Sequence, residues 1–409
     1  MSLADGFDDA FEGQLAQFLI QQKYLNQASD LDSKRFLARS VAPHVQTLSS
    51  LFNRQLKPDQ SAGIDESLYW NDSSNAMNRR LAYFLAFGLP NSVRVAGVWS
   101  ELSRLGYVLP ASSAFSVLEL GAGTGAGVTG CILGSKFSDL KIPTPAHAAL
   151  IEQNRGAMEL GSAWIEHLEP SMSTRCFHRK LTFDEDWLPR SAPKFTVIVA
   201  SFFLNEFDNK PSEWADQILN LTQNHLVEDG VIILVEPALK LQSRRLLECR
   251  KHLLKRVEEE KRQELVLLPC LGHQICGALE DPDDWCHEEV TWWRPKYLRA
   301  LDEIAGLDRR TLPFSYLVIS RSNKTRTELL PGLAGASTLH RLVSPAHKLG
   351  RDLEFFTCGQ DGKRRVRVQP DMVADDIQRG DLLGNAVLRG DPECTRLESL
   401  SEQSAKDGF

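Results

Sequence analysis

The chain has no stretch approaching the ~20 uninterrupted apolar residues that a membrane-crossing helix needs, so no membrane partner is expected. No lysine or arginine precedes Lys23, and the opening Met1-Ser-Leu-Ala-Asp-Gly-Phe-Asp-Asp is acidic. That start argues against a secretory signal and against an Arg-rich organellar presequence, and a cytoplasmic chain is the expectation. None of the eight cysteines forms a C-x2-C pair, so the knuckles of a zinc ribbon are missing. The C-x3-C-x2-C loop of a radical enzyme is missing too, and no internal repeat is visible.

What is present is a soluble globular composition, 42% hydrophobic and 25% charged, over 409 residues. That length suggests two or three structural units. The net charge of −7 is unevenly spread. Residues 371–409 carry nine acids against four bases, and the first twelve residues carry four acids and no base. The body between them is slightly positive, with bases clustered at 240–264 (nine against five acids) and 341–367 (seven against three). Acidic ends around a locally basic body permit an RNA partner, although such runs on helices also serve as solvated faces.

Apolar residues recur at three- and four-residue steps through Phe11–Leu25 and Leu81–Leu105, which predicts an N-terminal helical region over 1–110. The composition changes at Pro110-Ala-Ser-Ser113, a plausible linker. From Phe115 strand and helix patterns alternate: strands at Phe115–Leu120, Ala146–Ile151, Phe195–Ala200, Gly230–Val235 and Phe314–Ser320, and helices at Ala157–His167, Trp214–Leu226, 239–263 and Pro295–Ala305, the last with its proline in the first turn. This predicts an α/β domain over 111–325 with a parallel, doubly wound sheet. A cysteine-rich insert at about 265–292 interrupts it. Leu353–Cys358, a Gly-Gln-Asp-Gly turn and Arg364–Val368 read as a hairpin in a small β extension, 326–370. Residues 371–409, acidic and rich in Gly, Ser and Asp, read as a disordered tail.

The segment Glu119-Leu-Gly-Ala-Gly-Thr-Gly125 places three glycines between a strand and a helix. Glycine at the carboxyl edge of a sheet allows a tight turn and lets a ligand approach the amides of the next helix. The spacing is G-x-G-x-G, not the dinucleotide G-x-G-x-x-G. It resembles the first motif of class I methyltransferases, which implies a Rossmann-like fold and S-adenosylmethionine held by Glu119, Gly121, Gly123 and Gly125. Glu152, ending the next strand, stands where a carboxylate can accept both ribose hydroxyls. A bare strand–helix turn and an exposed strand-end acid are the plainer alternatives. In Ser201-Phe-Phe-Leu-Asn-Glu206, which follows a strand, Asn205 and Glu206 are the polar candidates for facing a transferred methyl, with helix capping as the alternative.

Cys270, Cys276 and Cys286 fall within seventeen residues, on backbone rich in Gly, Pro and Asp. Three thiolates in one loop need a fourth ligand from elsewhere, and Cys358, just before the hairpin turn, is the best placed. His273 and His287 leave a zinc site open, and unligated core thiols are a third reading. With the Asp284-Trp-Cys-His287 run and the late hairpin, the chain resembles, over residues 75–370, the methyltransferase-like small-ribosomal-subunit assembly factors. The resemblance implies a 4Fe–4S cluster on Cys270, Cys276, Cys286 and Cys358, and a partner in the small ribosomal subunit and its rRNA. Lys363, Arg364, Arg365 and Arg367 are the candidate RNA contacts, and a monomer is expected for the free chain. An assembly or translation-supporting factor and an active rRNA methyltransferase remain open as functions.

Overall fold

The computed structural model describes residues 2–3, 9–52, 75–110, 114–136, 143–272, 276–334, 338–360, 362–373, 377–390 and 395–399. The N-terminal region is helical as its periodicity predicts, with α1 (Asp9–Gln21), α2 (Ala42–Phe52), α3 (Ala76–Tyr83) and α4 (Leu89–Arg104). The stretch Ala76–Arg104 is long and apolar enough to cross a membrane by length and composition, yet 83% of its apolar 18-residue segment is buried inside the protein. Most of the linker at Pro110 lies outside the described residues.

The central sheet holds β1 (Ser116–Leu120), β2 (His147–Glu152), β3 (Ser173–His178), β4 (Phe195–Ser201), β5 (Leu226–Pro237), β6 (Glu264–Leu268), β7 (Glu288–Trp292) and β8 (Thr311–Arg321). Its order is β7-β8-β5-β4-β1-β2-β3, with the short strand Ser2–Leu3 pairing β7 in parallel at the outer edge and β6 also pairing β8. The five strands β3-β2-β1-β4-β5 are mutually parallel. The sheet is not parallel throughout, because β8 runs antiparallel to β5 and also to β6 and β7. Antiparallel β8 follows from its connection: it returns after the cysteine insert and α9 (Lys296–Ala305) instead of after a simple crossover helix. Pro295 caps α9 from outside, with extended ψ of 150°, instead of occupying its first turn.

Successive residues on a strand face opposite sides of the sheet. Val117 and Val199 accordingly join one core with α4, α5 (Ala126–Lys136), α6 (Arg155–Leu168) and the N-terminal helices. Leu118 and Ile198 join the other, beneath α7 (Pro211–His225) and α8 (Lys240–Glu259). This two-faced burial, with the 3-2-1-4-5 strand order, is the Rossmann-like class I methyltransferase architecture.

The β extension is larger than its sequence suggests. Strands β9 (Leu339–Leu342), β10 (His347–Leu349), β11 (Asp352–Gly359) and β12 (Gly362–Val368) are joined by β13 (Leu382–Gly384), β14 (Val387–Arg389) and β15 (Thr395–Ser399). Residues 377–390 and 395–399 are therefore a correction to the expected disordered tail: β15 pairs β12 in parallel and β13 pairs β9. The reason is a separate small core in which Leu383, Ala386 and Leu397 pack with Phe355 and Val366. The acids between these apolar positions dominate the composition and hide them.

Candidate functional site: a cavity at the glycine turn and a cysteine loop held by arginines

All three glycines of the turn adopt positive φ: 62° at Gly121, 52° at Gly123 and 73° at Gly125. Residues with a Cβ rarely adopt that region. Gly121 lines a cavity of about 1000 Å³. All three serve close packing, and a Cβ at Gly121 would collide with the Phe203 ring. A Cβ at Gly123 would come within 2.8 Å of the Tyr83 hydroxyl, and one at Gly125 within 2.7 Å of Ile165.

Glu119 does not line the cavity. Its carboxylate accepts the N–H groups of Gly127 (2.6 Å) and Val128 (2.9 Å), two orphan donors of the first turn of α5. Burial pushes this carboxyl up to about 8, against those two bonds. Its expected cofactor role is thus corrected: it builds the turn from behind. Glu152 does line the cavity. Its Oε2 accepts the Gly123 N–H (2.8 Å) and its Oε1 the Asn154 N–H (2.6 Å), so the carboxylate ties strand end to glycine turn. Burial raises it, opposed by these N–H bonds and by His178. The Gln153 N–H also acts on this carboxylate, which still leaves acceptor capacity for a hydroxyl donor.

Asn205 and Glu206 also line the cavity, in the short helical turn after β4. That turn is held by Glu236 at the end of β5, which accepts the N–H groups of Leu204 (2.9 Å) and Asn205 (3.1 Å). Burial lifts Glu236 to about 7. Sequence reasoning missed Glu236, although an acid directly before Pro237 at a buried strand end is a legible signal. It also missed the wall formed by Thr182-Phe183-Asp184 after β3, and that formed by Phe202, Arg94, Trp285 and His287.

The cysteine loop is encircled by cations that donate to its backbone carbonyls. Arg244 donates to the carbonyls of Ala278 (3.0 Å), Asp281 (2.7 Å) and Asp284 (2.6 Å), and Arg250 to Gly272 (2.6 Å). Arg326 donates to Cys270 (3.0 Å) and Leu271, and Arg341 to Pro269 (2.9 Å). The four sequence-predicted thiols are gathered into one neighbourhood. Cys286 is pushed well up by burial and by the other three, Cys358 up to about 12 by burial and by Cys270 and Cys276, and Cys276 up by burial and by Cys270. Among the described residues no three His, Cys, Asp or Glu side chains converge closely enough to hold a single metal ion. His273 lies outside the described residues. His287 stacks on Trp285 at 6.2 Å and lines the cavity. Cys131 and Cys249 are buried in helices, as ordinary core.

Arg244, Arg245 and Arg250 of the basic helix α8 are thus structural, whereas Lys251 and Lys255 stay exposed, and part of the hairpin is structural too. Lys363 pairs with Asp284 and lies 4.8 Å from the centre of the Phe356 ring, while Arg365 (2.6 Å) and Arg367 (2.8 Å) share Glu354. Arg364 reaches the Gly390 carbonyl at 3.4 Å. Lys363 therefore clamps the extension to the cysteine loop, and the other three retain partial exposure.

Among solved structures, a protein from Listeria monocytogenes described as a putative class I S-adenosylmethionine-dependent methyltransferase is similar at 11% identity and TM-score 0.36, covering 77% of this chain and 89% of its own. The ribosomal protein L11 methylase of Lactobacillus delbrueckii subsp. bulgaricus is similar at 14% identity and TM-score 0.30, covering 57% and 79%. The CMeT domain of the citrinin polyketide synthase aligns at 13% identity and TM-score 0.40, covering 70% and 67%. No curated protein matches the sequence significantly. Residues 82–373 match the family described as mitochondrial small ribosomal subunit Rsm22. That match spans most of the chain, from the helix before the glycine turn through the hairpin carrying Cys358, and the chain belongs to this family.

Proposed function

We propose that the chain is an S-adenosylmethionine-binding factor of the small ribosomal subunit that carries a 4Fe–4S cluster. The observation that supports the cofactor most is the cavity itself, which opens at Gly121 and is flanked by Glu152 at the next strand end. The ends of parallel strands are where open α/β sheets bind ligands. The acceptor capacity that the N–H groups of Gly123, Asn154 and Gln153 leave on Glu152 fits a ribose hydroxyl. Thr182-Phe183-Asp184 offers a wall for a flat base.

The chemistry of the donor set fits a cluster on Cys270, Cys276, Cys286 and Cys358. A zinc ion with ~2.3 Å bonds to sulfur draws its thiolates closer together than a four-iron cluster does. Arg250 and Lys363 already act electrostatically on the Cys358 thiol, and Arg250 on that of Cys276. Bound there, a cluster would join the loop after β6 to strand β11. The partner is inferred from the family, and Arg364, Arg365 and Arg367 are the hairpin bases with exposure left for phosphates.

Asn205 and Glu206 on the cavity wall favour a second reading, active methylation of RNA, since methyl transfer depends mainly on positioning. Titration of the purified chain with S-adenosylmethionine tests the cofactor. Binding with one site per chain supports the reading, and no heat of binding at millimolar ligand refutes it. Iron and sulfide analysis of anaerobically prepared protein tests the cluster.

A further inference from the structure

Away from the glycine turn, the same cavity is walled by Arg94 of α4, Phe202, Arg309 and Pro313. Arg94 is held by neutral groups only: Nη1 donates to Asn91 Oδ1 (2.8 Å) and Nε to the Pro313 carbonyl (3.2 Å). Its guanidinium lies 5.2 Å from the centre of the Phe202 ring, which fixes its plane. Among the described residues no carboxylate pairs with it and no acceptor takes Nη2. The side chain is half-buried and lines the cavity. The charge that acts on it is a second cation, Arg309, and burial with that repulsion depresses its pKa to about 9. Arg309, by contrast, is paired with Asp302, Nε to Oδ1 at 2.7 Å.

A buried charge is costly unless it is paired, so an unpaired guanidinium on a cavity wall is a cost that a ligand would remove. The backbone beside it is also strained. Phe202 has φ of 57°, in the left-handed region that bulky residues avoid, and its N–H is fixed to the Val235 carbonyl at 2.7 Å. Strain that persists because the surroundings impose it marks a position set for a ligand.

We infer that Arg94 is an oxyanion-binding residue, receiving a carboxylate or a phosphate of the molecule that fills this end of the cavity. Two molecules could bring that chemistry: the methionine carboxylate of the cofactor, or a phosphate of a nucleotide acceptor. Only the first source rests on the cofactor reading above.

The test uses the full chain and its Arg94→Gln and Arg94→Lys variants. Inorganic phosphate, which needs no cofactor site, is expected to raise the melting temperature of the wild type more than that of Arg94→Gln, with lysine restoring part of the difference. Calorimetry then separates the sources. A loss of about tenfold or more in S-adenosylmethionine affinity, with 5′-methylthioadenosine unchanged, assigns the cofactor carboxylate. A like loss for uridine 5′-monophosphate, with S-adenosylmethionine unchanged, assigns an acceptor phosphate. Ligand-free Arg94→Gln should melt no lower than the wild type, because it removes a half-buried charge that has no counter-ion. Equal responses of wild type and Arg94→Gln to every anionic probe would overturn the inference. So would equal losses for 5′-methylthioadenosine and S-adenosylmethionine, which would make Arg94 a packing residue. If no adenosyl ligand binds the wild type while the phosphate difference stands, the cofactor reading fails and the assignment of Arg94 survives.

Discussion

Replacing Glu152 by glutamine keeps the shape of the side chain and removes its charge. In the protein the carboxylate accepts Gly123 N–H at 2.8 Å and Asn154 N–H at 2.6 Å, one on each oxygen. Glutamine retains one acceptor oxygen and turns an NH2 group toward the other donor, so one internal bond is lost along with one ribose acceptor. A hydrogen bond to a charged group contributes roughly 1.5–3 kcal/mol, so losing one on the ligand side predicts an affinity for S-adenosylhomocysteine about 10–150 times weaker. Because the lost internal bond also loosens the turn, the melting temperature of the free protein should fall by a few degrees at most. Calorimetry on wild type and variant, with adenine as a control ligand that has no ribose, measures the effect. An unchanged affinity for S-adenosylhomocysteine would refute the ribose assignment. An equal loss for adenine would show that the turn, and not the diol, carries the effect.

Three further outcomes are expected. Glu119 is raised to about 8 and Glu236 to about 7, both from 4.5, so the folded protein holds protons that the unfolded chain releases. Their contribution to stability is full below about 4.5 and is lost as pH rises towards 8. The melting temperature of Glu119→Gln relative to wild type should therefore climb between pH 5.5 and 8.5, and a flat difference would contradict the burial argument. Arg341→Met breaks a buried pair with Glu101, both side chains being under 5% exposed, and should cost about 3–5 kcal/mol in urea denaturation. Adding Glu101→Gln should recover part of that loss, and failure to do so would remove the pair as its cause. Cys358→Ser should bleach anaerobically prepared protein and open the extension to protease, whereas Cys249→Ser, in the core of α8, should do neither. A coloured, protease-resistant Cys358→Ser protein would discard the fourth ligand.

Much of the sheet was legible because its strands are buried on both faces. Phe195–Ser201 is buried at every position and reads as an unbroken apolar run. Strand β3 was not legible, since Ser173–His178 lies at the sheet edge with mostly exposed side chains. The strands of residues 377–399 are three to five residues long, too short for a period to emerge against acidic turns. The glycine turn and Glu152 could be read because their spacing to a strand end is local. Glu119 was misassigned because its partners, eight and nine residues ahead, appear only once the helix is built. The pairing of Glu101 with Arg341, 240 residues apart, leaves no local trace. Charge counts alone cannot tell a phosphate-facing arginine from one that holds a loop's carbonyls, as Arg244 does.

The most direct test of the central claim is in-cell crosslinking of the tagged full chain to RNA, followed by sequencing of the bound fragments. The account predicts crosslinks concentrated on the small-subunit rRNA, reduced when Arg364, Arg365 and Arg367 are neutralised together, and comigration of the protein with small-subunit particles on a gradient. Crosslinks spread evenly over cellular RNA, with the protein confined to the top of the gradient, would contradict it.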